Sequence, residues 1–346
     1  MSPDNHQRKR QWRRWVWSGL AMLIVFGLGF ATLHNINWLE VRQTVQQADL
    51  AWVGVAWVTI LVGQWLRLWR AWRLMQHSGA VAWSDVARAT LGAQVINWLS
   101  PLRVGDVWRV WQLRVYSQPV PSDSIPSNTS KVSKRLFRSA LAILVEKSLD
   151  SLGLAVLALT LLILPTPNNA NGNWVRLAMT ACGAALLLSA LLILRPGMLK
   201  QQLMRRFPQL ADWGLRWSET LAQDTLFPRR DIALSSLVTG LMWLLATLTN
   251  VALAQAFHIA WQGWMIPLLV VSIQTVSIVS PVPGNVGVIP LVTVGVLALA
   301  GLPAALGIAH GTLHYVLVYG TNLLWFVLLQ LRQTVQRRDF RTGVQN

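Results

Sequence analysis

The chain has 346 residues, 53% of them hydrophobic and 12% charged, with 30 Lys+Arg against 13 Asp+Glu and a formal net charge of +17. Soluble globular chains carry about 25% charged residues, so a soluble enzyme and a disordered polyelectrolyte are excluded, and the single cysteine, Cys182, excludes a disulfide scaffold. The 20 tryptophans suit aromatic belts at a bilayer surface, and the arginines fall between apolar runs rather than in one basic domain, which favours a membrane over nucleic acid.

A bilayer core takes about 20 apolar residues per helix. Six runs meet that length, at about 16–33, 51–69, 139–164, 175–194, 232–256 and 306–330. Each is expected to be helical, because lipid offers no partners for backbone polar groups. Arg8, Lys9, Arg10, Arg13 and Arg14 precede the first run, as in a signal peptide. Thr32-Leu33-His34-Asn35 gives no small-x-small cleavage site, so the run is read as a retained span.

Two further apolar regions are interrupted. Residues 83–116 break at Ser100-Pro101-Leu102-Arg103-Val104-Gly105-Asp106, and residues 264–302 break at Ser280-Pro281-Val282-Pro283-Gly284-Asn285-Val286-Gly287. Proline with glycine stops a helix and permits a tight reversal. The halves, about 14–17 residues each, are short for a span, so each region reads as a re-entrant helical hairpin or a kinked pair.

Orientation follows from Lys and Arg outside the runs. Alternate segments hold 27 on one side and one, Arg42, on the other. Both termini are therefore expected in the cytoplasm, with 83–116 starting and ending inside and 264–302 outside. Hairpins satisfy this, and so do pairs of full spans. The expected fold is all-α and polytopic: about six full spans plus two re-entrant hairpins in an inverted pseudo-repeat, or eight spans. The expected organisation is one transmembrane domain over 16–331, cytoplasmic tails at 1–15 and 332–346, and cytoplasmic loops at 117–138 and 195–231. The second loop carries Trp213 and Trp217 and reads as a surface-lying amphipathic stretch or a plain polar loop.

The two breaks share Pro-x-x-Val-Gly, as Pro101 to Gly105 and Pro283 to Gly287. Interrupted segments at corresponding places in two halves mark transporter sites, because broken helices present free N–H groups and a positive dipole end to an anion. Pro101, Gly105, Pro283, Gly284 and Gly287 define these breaks.

Charges in apolar surroundings are costly unless paired or wet. Arg67, Arg70 and Arg73 recur every third residue among Trp65, Trp69 and Trp72. They read as snorkelling anchors, or as a mouth for an anionic head group. Arg103, Asp106 and Arg109 read as a local ion pair closing the turn, or as a phosphate site in which Asp106 holds an arginine fork. Glu146 and Asp150 share a helix face beside Lys147, which implies pairing with Lys147 or a first-hairpin arginine, or else proton coupling. Asn97 and Asn285 stand where backbone is exposed, as caps or as head-group contacts. His310 and His314 are i and i+4 near Tyr315 and Tyr319, but no third ligand stands by, so they read as core polar residues rather than a metal site. No catalytic residues, metal or cofactor are expected.

These residues resemble one family, the lysylphosphatidylglycerol synthase transmembrane (flippase-like) proteins. The resemblance rests on Arg67-x-x-Arg70-x-x-Arg73-Leu74 followed by Gly79, on Asn97-x-Leu99-x-Pro101-x-Arg103-x-Gly105-Asp106-x-x-Arg109, on Glu146-Lys147-x-x-Asp150, on Pro283-Gly284-Asn285-Val286-Gly287 and on Gly301-Leu302-Pro303. Departures are also clear. Relatives usually have glutamate where Asp106 stands, commonly Arg-Glu where Ile289 and Pro290 stand, and often an arginine in the last span, where this chain has His310 and His314. The resemblance implies a cytoplasmic-membrane protein that moves an aminoacylated phospholipid between leaflets when fused to a soluble synthase. About 16 residues follow the last run here, so lipid aminoacylation by this chain is not expected.

The expectation is a translocase for an anionic phospholipid or lipid-linked precursor. Arg103 and Arg109 would bind phosphate, Arg67 and Arg70 would guide it in, and Asp106, Glu146 and Asp150 would set the field and couple charge. The rival is a membrane enzyme or accessory subunit in glycolipid or polyprenyl-phosphate-sugar synthesis. Membrane lipids are the expected partners, with a second copy or a biosynthetic enzyme beside them, and no nucleic acid.

Overall fold

The computed structural model describes residues 37–76, 81–100, 104–116, 129–164, 170–194, 227–280 and 282–343. The first span, 16–33, the basic tail, Pro101, Leu102, Arg103 and nearly all of the 195–231 segment lie outside the described residues. The described residues form α1 (Trp38–Gln46), α2 (Leu50–Met75), α3 (Trp83–Leu99), α4 (Gly105–Tyr116), α5 (Thr129–Thr160), α6 (Ala170–Leu194), α7 (Arg229–Ala256), α8 (Met265–Val279), α9 (Val288–Leu299) and α10 (Ala304–Gly343). A 3-10 turn, Pro283–Asn285, joins α8 to α9, and no strand occurs among the described residues.

The chain is a polytopic helical membrane protein. Among the described residues three helical segments are long and apolar enough to cross a bilayer by themselves: Leu50–Met75, Arg229–Ala256 and Ala304–Arg332. The 26 residues of α2 rise about 39 Å, enough for a hydrocarbon core of about 30 Å. Of the other expected runs, 139–164 is helical as far as Thr160 and 175–194 is helical within α6, both less uniform. Glu146, Lys147 and Asp150 interrupt the apolar surface of α5, and α6 carries Arg176 within its apolar stretch. Two polar segments are also helical. α5 begins at Thr129, within the segment expected to be loop, and α10 continues through the expected tail to Gly343. Hydropathy reports burial rather than helicity, and a nucleated helix extends into polar sequence through its own hydrogen bonds.

Helices α2 and α7 run antiparallel along their whole length. The Asp49 amide donates to the Ala256 carbonyl at one end, and Arg73 meets Asp231 at 3.0 Å at the other. Thr59 and Thr249 share a 2.8 Å hydrogen bond between them. Each end of this pair carries its own apolar core. Ala71, Leu74, Val86, Ala89, Leu113 and Ala142 pack at the Met75 end. Phe257, Trp264, Met265, Leu269, Val296, Leu297 and Ala309 pack at the Ala256 end.

The interrupted regions use these two cores separately. Val86 of α3 and Leu113 of α4 belong to the same core, so α3 leaves the Met75 end and α4 returns to it. Met265 of α8 and Leu297 of α9 belong to the other core, so this pair starts and ends at the opposite end. The helices span 17, 12, 15 and 12 residues, or about 25, 18, 22 and 18 Å, each less than the core thickness. Two helical hairpins thus point at each other from opposite ends of the α2–α7 pair. Their tips touch: the Trp98 indole N–H, at the end of α3, donates to the Gly284 carbonyl at 3.0 Å.

Glycine permits both reversals, for different reasons. Gly105 starts α4 so close to α3 that a Cβ there would lie 2.1 Å from the Ala93 carbonyl oxygen. Gly284 has φ +69°, and a Cβ would lie 2.3 Å from the Trp98 nitrogen.

Candidate functional site

Two adjoining hollows lie where the hairpin tips meet α2. The larger, about 420 Å³, is bordered by Arg67, Asp106, Arg109, Glu146, Lys147 and Asp150 among others. The smaller, about 220 Å³, is bordered by Trp98, Ser277, Asn285, His314, Tyr319 and Asn322 among others. Arg67, Gln94, Asn97 and Gln274 border both. The first break therefore faces one hollow and the second break the other, with Arg67 between them.

The charged wall is built by helical spacing. Arg67 and Arg70 are one turn apart on α2, and Glu146 and Asp150 one turn apart on α5. Arg70 is fully buried; its guanidinium donates to Asp150 at 2.7 Å and to the Thr239 hydroxyl, and lies 3.6 Å from Glu146. Arg109, 2% exposed, donates to the other Glu146 oxygen at 3.0 Å. Lys147 meets Asp106 at 3.3 Å in a half-exposed pair.

These partners differ from the local pair expected within 103–109. Asp106 and Arg109 share a helix, but α5 packs against α4 and brings an opposite charge to each, so both pair across helices. Glu146 takes a first-hairpin arginine as its partner, one of the two pairings its position allowed. Arg73, expected beside Arg67 and Arg70, instead holds Asp231 near the start of α7.

Among the described residues the wall contains four basic groups, Arg67, Arg70, Arg109 and Lys147, and three acidic ones, Asp106, Glu146 and Asp150. One positive charge is left over. Among these described residues the one without a hydrogen-bonded or ion-pair partner is Arg67: its Nε is buried and unbonded, and it makes no ion pair with a described residue. Residues 50–66 ahead of it are uncharged and rise about 25 Å.

The asparagines hold the turns. Asn97 Oδ1 accepts the Gly105 amide at 2.8 Å, and Asn285 Nδ2 donates to the Tyr319 hydroxyl at 3.1 Å. Gly287 caps α9 with φ +75°, and Asn285 itself has φ +52°. Pro283 opens the 3-10 turn. Arg103 and Pro101, both expected at the site, fall outside the described residues.

Several bordering residues were not singled out by the sequence reading, Gln94, Trp98, Gln274 and Asn322, nor was Thr239, which holds Arg70. Gln274 had a legible signal, as a lone amide in the apolar run Met265–Val279. Trp98 had none among 20 tryptophans. His310 and His314 are buried, and His310 Nε2 lies 3.5 Å from the Asn250 carbonyl. Among the described residues no group of three His, Cys, Asp or Glu could hold a metal.

A family model described as the lysylphosphatidylglycerol synthase TM region matches residues 17–329. The chain belongs to this family. The match includes both hairpins, both hollows and every bordering residue named above. No curated protein matches the chain. Two departures of this family member from the expected pattern fall at the smaller hollow: Ile289 and His314 both border it.

Proposed function

We propose that this lysylphosphatidylglycerol synthase TM family member moves an anionic phospholipid or lipid-linked precursor between the leaflets of the cytoplasmic membrane, with both termini in the cytoplasm. The observation that carries this reading is Arg67: among the described residues the one uncommitted cation of the charged wall, set where two opposed hairpin tips meet and bordering both hollows. A phosphate diester supplies the missing partner. Arginine suits it, because its planar fork makes paired hydrogen bonds to phosphate oxygens. Glu146 and Asp150 hold Arg70 and Arg109 in place, so the excess charge is focused at Arg67. The hairpins act as re-entrant elements whose short helices leave head-group-sized space at their tips. Arg109 and Arg70 face the phosphate as a fixed positive background, and Asn97 and Asn285 shape the path at each break.

The test is transfer of a fluorescent anionic phospholipid across proteoliposomes, read by quenching of the outer leaflet. A charge-assisted hydrogen bond is worth about 1.5–3 kcal/mol, so Arg67→Ala is expected to slow transfer at least tenfold. Transfer by Arg67→Ala at the wild-type rate overturns the assignment. The enzyme alternative requires a new covalent lipid product on incubation with labelled donors, and none is expected.

A further inference from the structure

The smaller hollow has a chemistry of its own. Among the described residues no carboxylate borders it, and Arg67 and His314 are its only basic groups. Its polar wall is made largely of amides: Gln94, Asn97, Gln274, Asn285 and Asn322. Their unspent valences are mixed. Gln94 Oε1 accepts from Gln64 and Asn97 Oδ1 accepts from Gly105, which leaves two amino groups as donors. Asn285 has spent a donor on Tyr319, which leaves its oxygen as an acceptor. Gln274 and Asn322 make no hydrogen bond to a described residue, so each offers both. His314, 7% exposed, has a buried Nδ1 without a partner. The tilted pair of Trp98 and Tyr319, with centroids 5.3 Å apart, provides an aromatic wall.

Ligand charge can be read from such a set. An anion uses donors alone, and a cation needs acceptors and a negative charge. A hydroxyl group both donates and accepts, and mixed amide valences match it. We infer that the smaller hollow takes a neutral, hydroxyl-rich head-group unit, a glycerol or a sugar, and that it selects against a cationic aminoacyl head group. This rests on the proposed reading for the phosphate at Arg67, which puts the rest of the head group in the adjoining space. Among the described residues a cationic head group finds no free carboxylate in either hollow: Asp106, Glu146 and Asp150 already face Lys147, Arg109 and Arg70. A site built to bond hydroxyls discriminates strongly against a group that leaves its amides unpaired.

The test uses the full chain purified in detergent and measures retained lipid by native mass spectrometry. The probes are phosphatidylglycerol, a glucosyl-phosphoryl-polyprenol, lysyl-phosphatidylglycerol and phosphatidic acid. Retention of phosphatidylglycerol or the glucosyl lipid at least tenfold above the other two is expected, and these two arms separate glycerol from sugar. Gln274→Asp and Asn322→Asp each put a carboxylate in the hollow and are expected to shift the ratio at least tenfold toward lysyl-phosphatidylglycerol. Equal retention of all four probes, retention of none, wild-type preference for the lysyl lipid, or monodisperse Asp variants with an unchanged ratio each overturn the inference. If neither variant folds, the wild-type ratios decide. Retention requires no transport, so selective binding without lipid movement refutes translocation alone. Equal movement of all four lipids with no selectivity refutes the head-group assignment alone.

Discussion

Arg67 and Arg70 stand one helical turn apart, yet their substitutions should act on different properties. Arg70 is fully buried and joins Asp150, Thr239 and Glu146. Removing one partner of a buried ion pair costs about 3–5 kcal/mol, because the other is left uncompensated. Two features place Arg70→Ala at the lower end, about 3 kcal/mol: the Asp150 side chain is 31% exposed and can take up water, and Glu146 keeps Arg109 at 3.0 Å. At roughly 2 °C per kcal/mol for a large domain, the melting temperature should fall by about 6 °C. Arg70→Lys should recover only part of this, since an ammonium group cannot reproduce a fork that reaches two carboxylates and a hydroxyl. Arg67→Ala breaks no hydrogen bond or ion pair with a described residue and should stay within about 0.5 kcal/mol of wild type. The assay is a thermal melt followed by size-exclusion in detergent, run beside the lipid-transfer measurement. A large stability loss in Arg67→Ala together with an unchanged Arg70→Ala would refute the partition into one structural and one ligand-facing arginine.

Two further outcomes follow from the hairpins and the charge pattern. Gly284→Ala combines a Cβ 2.3 Å from the Trp98 nitrogen with a φ of +69°, so overpacking and backbone strain together should cost about 2–5 kcal/mol, whereas Gly287→Ala, with φ +75° and open space, should cost only about 1–2 kcal/mol; equal melting temperatures for the two would show that the tips do not touch. In a Cys182→Ala background, which removes the one cysteine, single cysteines at positions 4 and 345 should react with an impermeant maleimide only from the cytoplasmic face, and labelling of intact cells would reverse the orientation.

Much of the framework was legible in the amino-acid sequence, because a bilayer imposes a length and an apolar composition on every span. The uncharged stretches of α2, α7 and α10 announced themselves, and so did the two breaks, since Pro283, Gly284, Gly287 and Gly105 disrupt runs that are otherwise continuous. The charge pattern also predicted that the two hairpins start from opposite ends of the bundle, where the two apolar cores hold them. Pairing was not legible. The spacing of Asp106 and Arg109 favours a bond within α4, yet each is satisfied by α5, and nothing in the Arg67-x-x-Arg70-x-x-Arg73 repeat says that Arg70 is consumed by carboxylates, Arg73 by Asp231, and Arg67 by neither. Side-chain periodicity along one helix fixes which residues share a face. Which charge that face meets depends on how the helices dock. Only the packed bundle, with α5 laid against α2 and α4, decides which arginine is left over.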